Sequence, residues 1–117
     1  MGGIIFFRTT MLKEIIEFYI NRLDMKVWLE QSGCTILQYG NLLLGFCQRE
    51  LVETEGIITL FYPMKEDVDE RYRELRDIST TQPEESENYG IYHFYACDPE
   101  GRTLEFQCFL HPIDYKF

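Results

Sequence analysis

The sequence predicts an α+β fold in which a strand–helix–three-strand unit, βαβββ, occurs twice within one domain of 117 residues. Two observations carry this. The order of hydrophobic patterns restarts after a charged connector, residues 48–55. The segment Gly40-Asn41-Leu42-Leu43-Leu44-Gly45-Phe46-Cys47 also sets against Gly101-Arg102-Thr103-Leu104-Glu105-Phe106-Gln107-Cys108, with glycine, leucine and cysteine at matching places. The expected division is module one over 3–47, the connector 48–55, module two over 56–109 and a tail over 110–117.

Each element has its own signal. Residues 3–9 form an apolar strand rich in Ile and Phe, and Thr9 or Thr10 is placed to cap a helix. Leu12, Ile15, Ile16, Tyr19, Ile20 and Leu23 then recur at three- and four-residue steps, an amphipathic face that needs a sheet to cover it. Strands over 25–30, 34–38 and 42–47 are separated by the turns Gln31-Ser32-Gly33 and Tyr39-Gly40-Asn41, which gives an antiparallel meander. The restart comprises a strand over 57–62, ended by Pro63, and a helix over 67–76 with Val68, Tyr72 and Leu75 inward. A polar loop follows over 79–89 with at most a short strand. Strands over 91–97 and 103–109 close the unit around the turn Asp98-Pro99-Glu100-Gly101. No role is assigned to the tail.

Composition narrows the function. A net charge of −9, with 20 acidic against 11 basic residues and no Lys/Arg cluster, repels phosphate backbones and argues against nucleic-acid binding. The first apolar run is only five residues, too short for a signal or membrane segment. Cys34, Cys47, Cys97 and Cys108 are widely spaced and three lie in apolar runs, so they are expected to be buried, reduced thiols. Free cysteines and no leader together point to the cytoplasm. The 15% aromatic content suggests an aromatic-lined surface as well as a core.

Three stretches resemble the vicinal oxygen chelate superfamily: glyoxalase I, the fosfomycin and bleomycin resistance proteins and the extradiol dioxygenases. They are the helix with Phe18-Tyr19 and Leu23, the segment Glu66-Asp67-Val68-Asp69 with Tyr72 and Leu75, and Phe94-Tyr95 leading through Asp98-Pro99-Glu100-Gly101 to Leu104-Glu105-Phe106. The resemblance spans about residues 3–109. It implies two βαβββ modules curled into a cupped mixed sheet around a cavity, commonly in a homodimer. In metal-dependent members, side chains on the first and last strands of each module hold a divalent ion, usually through His, Glu or Gln. Carried onto this sequence, those places fall on Ile4, on Leu44, on or beside Leu60 with Thr59 its neighbour, and on Glu105. Only Glu105 is a ligand-type residue, and a single carboxylate does not hold such an ion. The expectation is therefore no metal and no cofactor.

Glu105 and His93 are the candidate catalytic residues. Ligand-binding candidates are Glu105, His93, Tyr95, Arg8, Phe6, Phe46 and Tyr62, with Trp28 a further aromatic wall. A five-residue connection puts His93 and Tyr95 on the face of Glu105; a four-residue one puts Tyr92, Phe94 and Ala96 there instead. Arg8 either forks onto a ligand carboxylate or pairs with an acidic neighbour at its strand end. The leading expectation is a metal-independent protein that binds a small molecule and forms a homodimer. The alternatives are a metal-dependent lyase, isomerase or dioxygenase, and an interaction or sensory module whose cavity is filled by side chains.

Overall fold

This computed structural model describes residues 1–114. Two compact units divide at Thr54 and Glu55, inside the charged connector. The first runs β1 (Ile5–Thr9), α1 (Leu12–Leu23), β2 (Lys26–Gln31), β3 (Cys34–Tyr39) and β4 (Leu42–Gln48). The second runs β5 (Ile57–Phe61), α2 (Lys65–Leu75), a short turn of 3-10 helix (Arg76–Ile78), β6 (Glu84–Ser86), β7 (Ile91–Cys97) and β8 (Thr103–Phe109). Each unit is one four-stranded mixed sheet, ordered β1-β4-β3-β2 and β5-β8-β7-β6. In each, the first strand lies parallel to the last and the remaining pairs are antiparallel.

In the first unit, Ile15, Tyr19 and Leu23 fall on one face of α1 and are fully buried. That face lies over Leu37, Leu44 and Phe46, and the Tyr19 and Phe46 rings are 4.9 Å apart. Burial of each such side chain contributes about 1.5–3 kcal/mol. The helix ends at Asp24 in the left-handed conformation (φ 59°), which a short polar side chain tolerates. Neither predicted threonine is its N-cap, which is Met11 without a side-chain cap bond, and Thr9 and Gln48 hold the start in other ways. Thr9 Oγ1 accepts from Met11 N–H, while Gln48 bridges to β1 and α1: its Oε1 accepts from Leu12 N–H and its Nε2 donates to the Thr10 carbonyl. Strand β2 is exposed along its length, with Val27, Trp28 and Leu29 forming an apolar stretch on it.

One cysteine expectation is corrected here. Cys34 and Cys47 are joined by a disulfide, and only Cys97 and Cys108 are free among the described residues. The cause is register. The Gly40-Asn41 turn places Tyr39 opposite Leu42, and that pairing runs down the hairpin to Cys34 opposite Cys47. Gln48 N–H donates to the Gly33 carbonyl, so the two cysteines occupy the non-hydrogen-bonded pair, where facing side chains come closest. The argument from reduced cysteines to the cytoplasm does not hold for this pair. Among the described residues no helix is long and apolar enough to cross a membrane.

In the second unit, Val68 and Leu75 of α2 bury against Phe94, Leu104 and Phe106, whose two rings stack 5.0 Å apart. Helix α2 begins two residues earlier than predicted because Asp67 turns back on Met64: its Oδ2 accepts from Met64 N–H. The β7–β8 turn is organised by Asp98. Oδ1 accepts from the backbone N–H groups of Glu100 and Arg102, and Oδ2 pairs with the Arg102 guanidinium at 3.1 Å. Gly101 there has a φ of 91°, which a residue with a Cβ rarely adopts.

Candidate functional site

Alternation along β5, β7 and β8 gives this sheet two unlike faces. Ile58, Leu60, Phe94, Leu104 and Phe106 point to α2 and form the core. Thr59, His93, Tyr95, Glu105 and Gln107 point the other way. The five residues between β7 and β8 set this arrangement, pairing Tyr95 with Glu105 and His93 with Gln107. His93 and Tyr95 therefore share the face of Glu105.

On that face lies a cleft of about 460 Å³, bounded by Ile57, Ile91 and Phe109 on its apolar side and by Tyr89, His93 and Gln107 among its polar groups. A hydrogen-bonded chain runs along its floor. The Thr59 hydroxyl donates to Glu105 Oε1 at 2.8 Å, and His93 Nδ1 lies 2.7 Å from Glu105 Oε2. The His93 and Glu105 side chains are each only 12% exposed. An ionised carboxylate only accepts, so Nδ1 carries a proton in this pair. That leaves Nε2 as the ring's free position. The Tyr95 ring meets the His93 ring edge to face at 5.2 Å and limits its rotation. Burial, and then the negative charge of Glu105, raise the Tyr95 phenol above its usual range and keep it a proton donor. Among the described residues no Lys or Arg lines this cleft, and Glu105 is its one acidic side chain.

The remaining sequence candidates lie elsewhere. Phe46 is a core residue, not a cavity wall: it is fully buried and faces α1, with Tyr19 at 4.9 Å and Phe7 at 5.9 Å. Tyr62 does not line the cleft either, since its hydroxyl accepts from Arg71 Nε at 3.1 Å. Phe6 and Arg8 line a separate cleft of the first unit together with Gln31, Arg49 and the Cys34–Cys47 pair. There Arg8 takes the second of its two expected roles, lying 3.9 Å from Glu53 at its strand end.

The positions implied for metal ligands also shift. Leu44 faces α1, so the open-face position on β4 is Gly45, which pairs with Phe6 and is covered by its ring. Leu60 faces α2, and its neighbour Thr59 is the residue paired with Glu105. Sequence reasoning missed Gln107, although it stands two residues past Glu105 and alternation alone puts it on the same face. Tyr89 carried no comparable signal, because it lies in the polar loop where periodicity is silent.

With this geometry in place, comparison with solved structures decides the fold. A glyoxalase/bleomycin resistance protein/dioxygenase from Nocardioides superposes with a TM-score of 0.75 and 16% identity, over 100% of this chain and 88% of that one. The chain has the glyoxalase/bleomycin resistance fold. Lactoylglutathione lyase from Agrobacterium tumefaciens gives 0.75 and 17% identity, over 92% of each chain. An integron cassette protein from the Halifax Harbour sewage outfall metagenome gives 0.80 and 17%, over 92% of this chain and 97% of that one. No family model and no curated protein matches the sequence. At these identities the likeness speaks for the fold, and the chemistry rests on the residues of this chain.

Proposed function

We propose that this protein binds a small organic molecule in the cleft on the open face of the β5–β8 sheet, without a metal ion. The observation that carries this reading is the engagement of Glu105, whose two carboxylate oxygens are taken up by Thr59 and His93. The divalent ion that metal-dependent proteins of this fold hold does not fit the donors present. The places that the resemblance implies for it carry Ile4, Leu44 and Leu60, or by strand pairing Phe6, Gly45 and Thr59, beside Glu105, and three or four strong donors are normally required. Among the described residues no group of three His, Cys, Asp or Glu side chains converges. What the cleft does offer is apolar walls with a few polar groups directed inward, the usual composition of a small-molecule site.

Elemental analysis of protein purified without chelator, combined with zinc and manganese titration by calorimetry, tests the metal-free reading. Metal well below one equivalent and weak, substoichiometric uptake are expected. About one zinc, iron, nickel or manganese per chain would overturn it and return the site to a metal-dependent lyase, isomerase or dioxygenase.

A further inference from the structure

We infer that His93 Nε2, rather than the Glu105 carboxylate, is the atom that receives the ligand, and that the cleft selects against anions and for molecules that donate a hydrogen bond from an O–H or N–H group. This rests on the proposal that the cleft is a binding site, and it assigns that site its polarity.

Glu105 accepts at one oxygen from Thr59 and at the other from His93 Nδ1, so its strongest acceptor positions face protein donors. The same contact fixes the imidazole tautomer: with the proton on Nδ1, Nε2 of the neutral ring is a lone pair. Among the described residues Nε2 makes no hydrogen bond, and His93 lines the cleft. The Tyr95 hydroxyl and the Gln107 amide, also without hydrogen bonds among the described residues, border the same space and supply donors for an oxygen on the ligand.

Charge sets the second half of the selection. Among the described residues the cleft contains the carboxylate of Glu105 and no Lys or Arg, so an anionic ligand meets repulsion that none of them offsets. Ile57, Ile91 and Phe109 favour an apolar body on the ligand. Phenol meets all these requirements, benzoate fails on charge, and toluene has the apolar body without the donor.

These three probes, with nitrogen-15 spectra of the histidine rings at mildly alkaline pH, make the test. The free protein should show the Nδ1–H tautomer at His93, with His111 as an internal reference. Phenol should shift the His93 Nε2 resonance and bind at least tenfold more tightly than benzoate. His93→Phe keeps an aromatic wall but removes the acceptor. It should weaken phenol about tenfold, the worth of one hydrogen bond, and leave toluene unchanged. If phenol shifts the Tyr95 and Gln107 signals while His93 Nε2 stays still, or if benzoate binds as well as phenol, the inference fails and the binding cleft stands. If none of the three probes perturbs any residue of the cleft, both readings fall together.

Discussion

Replacing Asp98 with alanine is expected to cost about 3–5 kcal/mol of stability, because a buried guanidinium loses one of its two carboxylate partners. Arg102 is only 1% exposed, and its charge is met by Asp98 at 3.1 Å and Glu100 at 2.9 Å. Asp98 also accepts from two backbone N–H groups of the turn, so the alanine variant loses the hairpin's organiser as well as half of its ion pair. Asp98→Asn retains a carbonyl acceptor for the turn and should lose distinctly less. Chemical denaturation of the two variants separates the contributions. Equal, small losses below about 1 kcal/mol would show that the Asp98–Arg102 pair behaves as a solvated surface contact.

Phe46→Ala should be comparably damaging, at about 3–5 kcal/mol, since a fully buried ring is removed from between α1 and its sheet. Phe6→Ala, on the opposite face of the same sheet and 48% exposed, should cost about 1 kcal/mol or less. The comparison matters because both phenylalanines present themselves in the sequence as cavity walls. Thermal and denaturant unfolding that ranks Phe6 above Phe46 would contradict the face assignment of β1 and β4.

That face assignment marks the boundary of what was legible. The repeated order of patterns defined both βαβββ units, and β7 and β8 occur where alternation and the Asp98-Pro99-Glu100-Gly101 turn put them. The sequence leaves the grouping of His93, Tyr95 and Glu105 open between a five- and a four-residue connection, and the register Tyr95 opposite Glu105 is the five-residue one. Leu44 faces α1 and the choice between Leu60 and Thr59 stays open in the sequence, since a short strand of uninterrupted apolar residues gives no alternation from which to tell its faces apart. Gln48 as a helix anchor was hidden because its partners, Thr10 and Leu12, lie far away in sequence. The Cys34–Cys47 bond, by contrast, was within reach: counting outward from the Gly40-Asn41 turn brings the two residues opposite each other. The wide spacing of the cysteines drew attention away from the hairpin that closes it. The tail expected over 110–117 lies in part outside the described residues.

The central claim is that the open face of the β5–β8 sheet takes a small molecule without a metal. A crystallographic fragment screen on chelator-treated protein tests this most directly, because it reports where uncharged aromatic fragments settle. The account predicts that they gather against His93, Tyr95 and Gln107, with a donor group on His93 Nε2 and no metal density at Glu105. Fragments that bind only after a divalent ion is added and seen on Glu105, or that pass over this face for another, would contradict it.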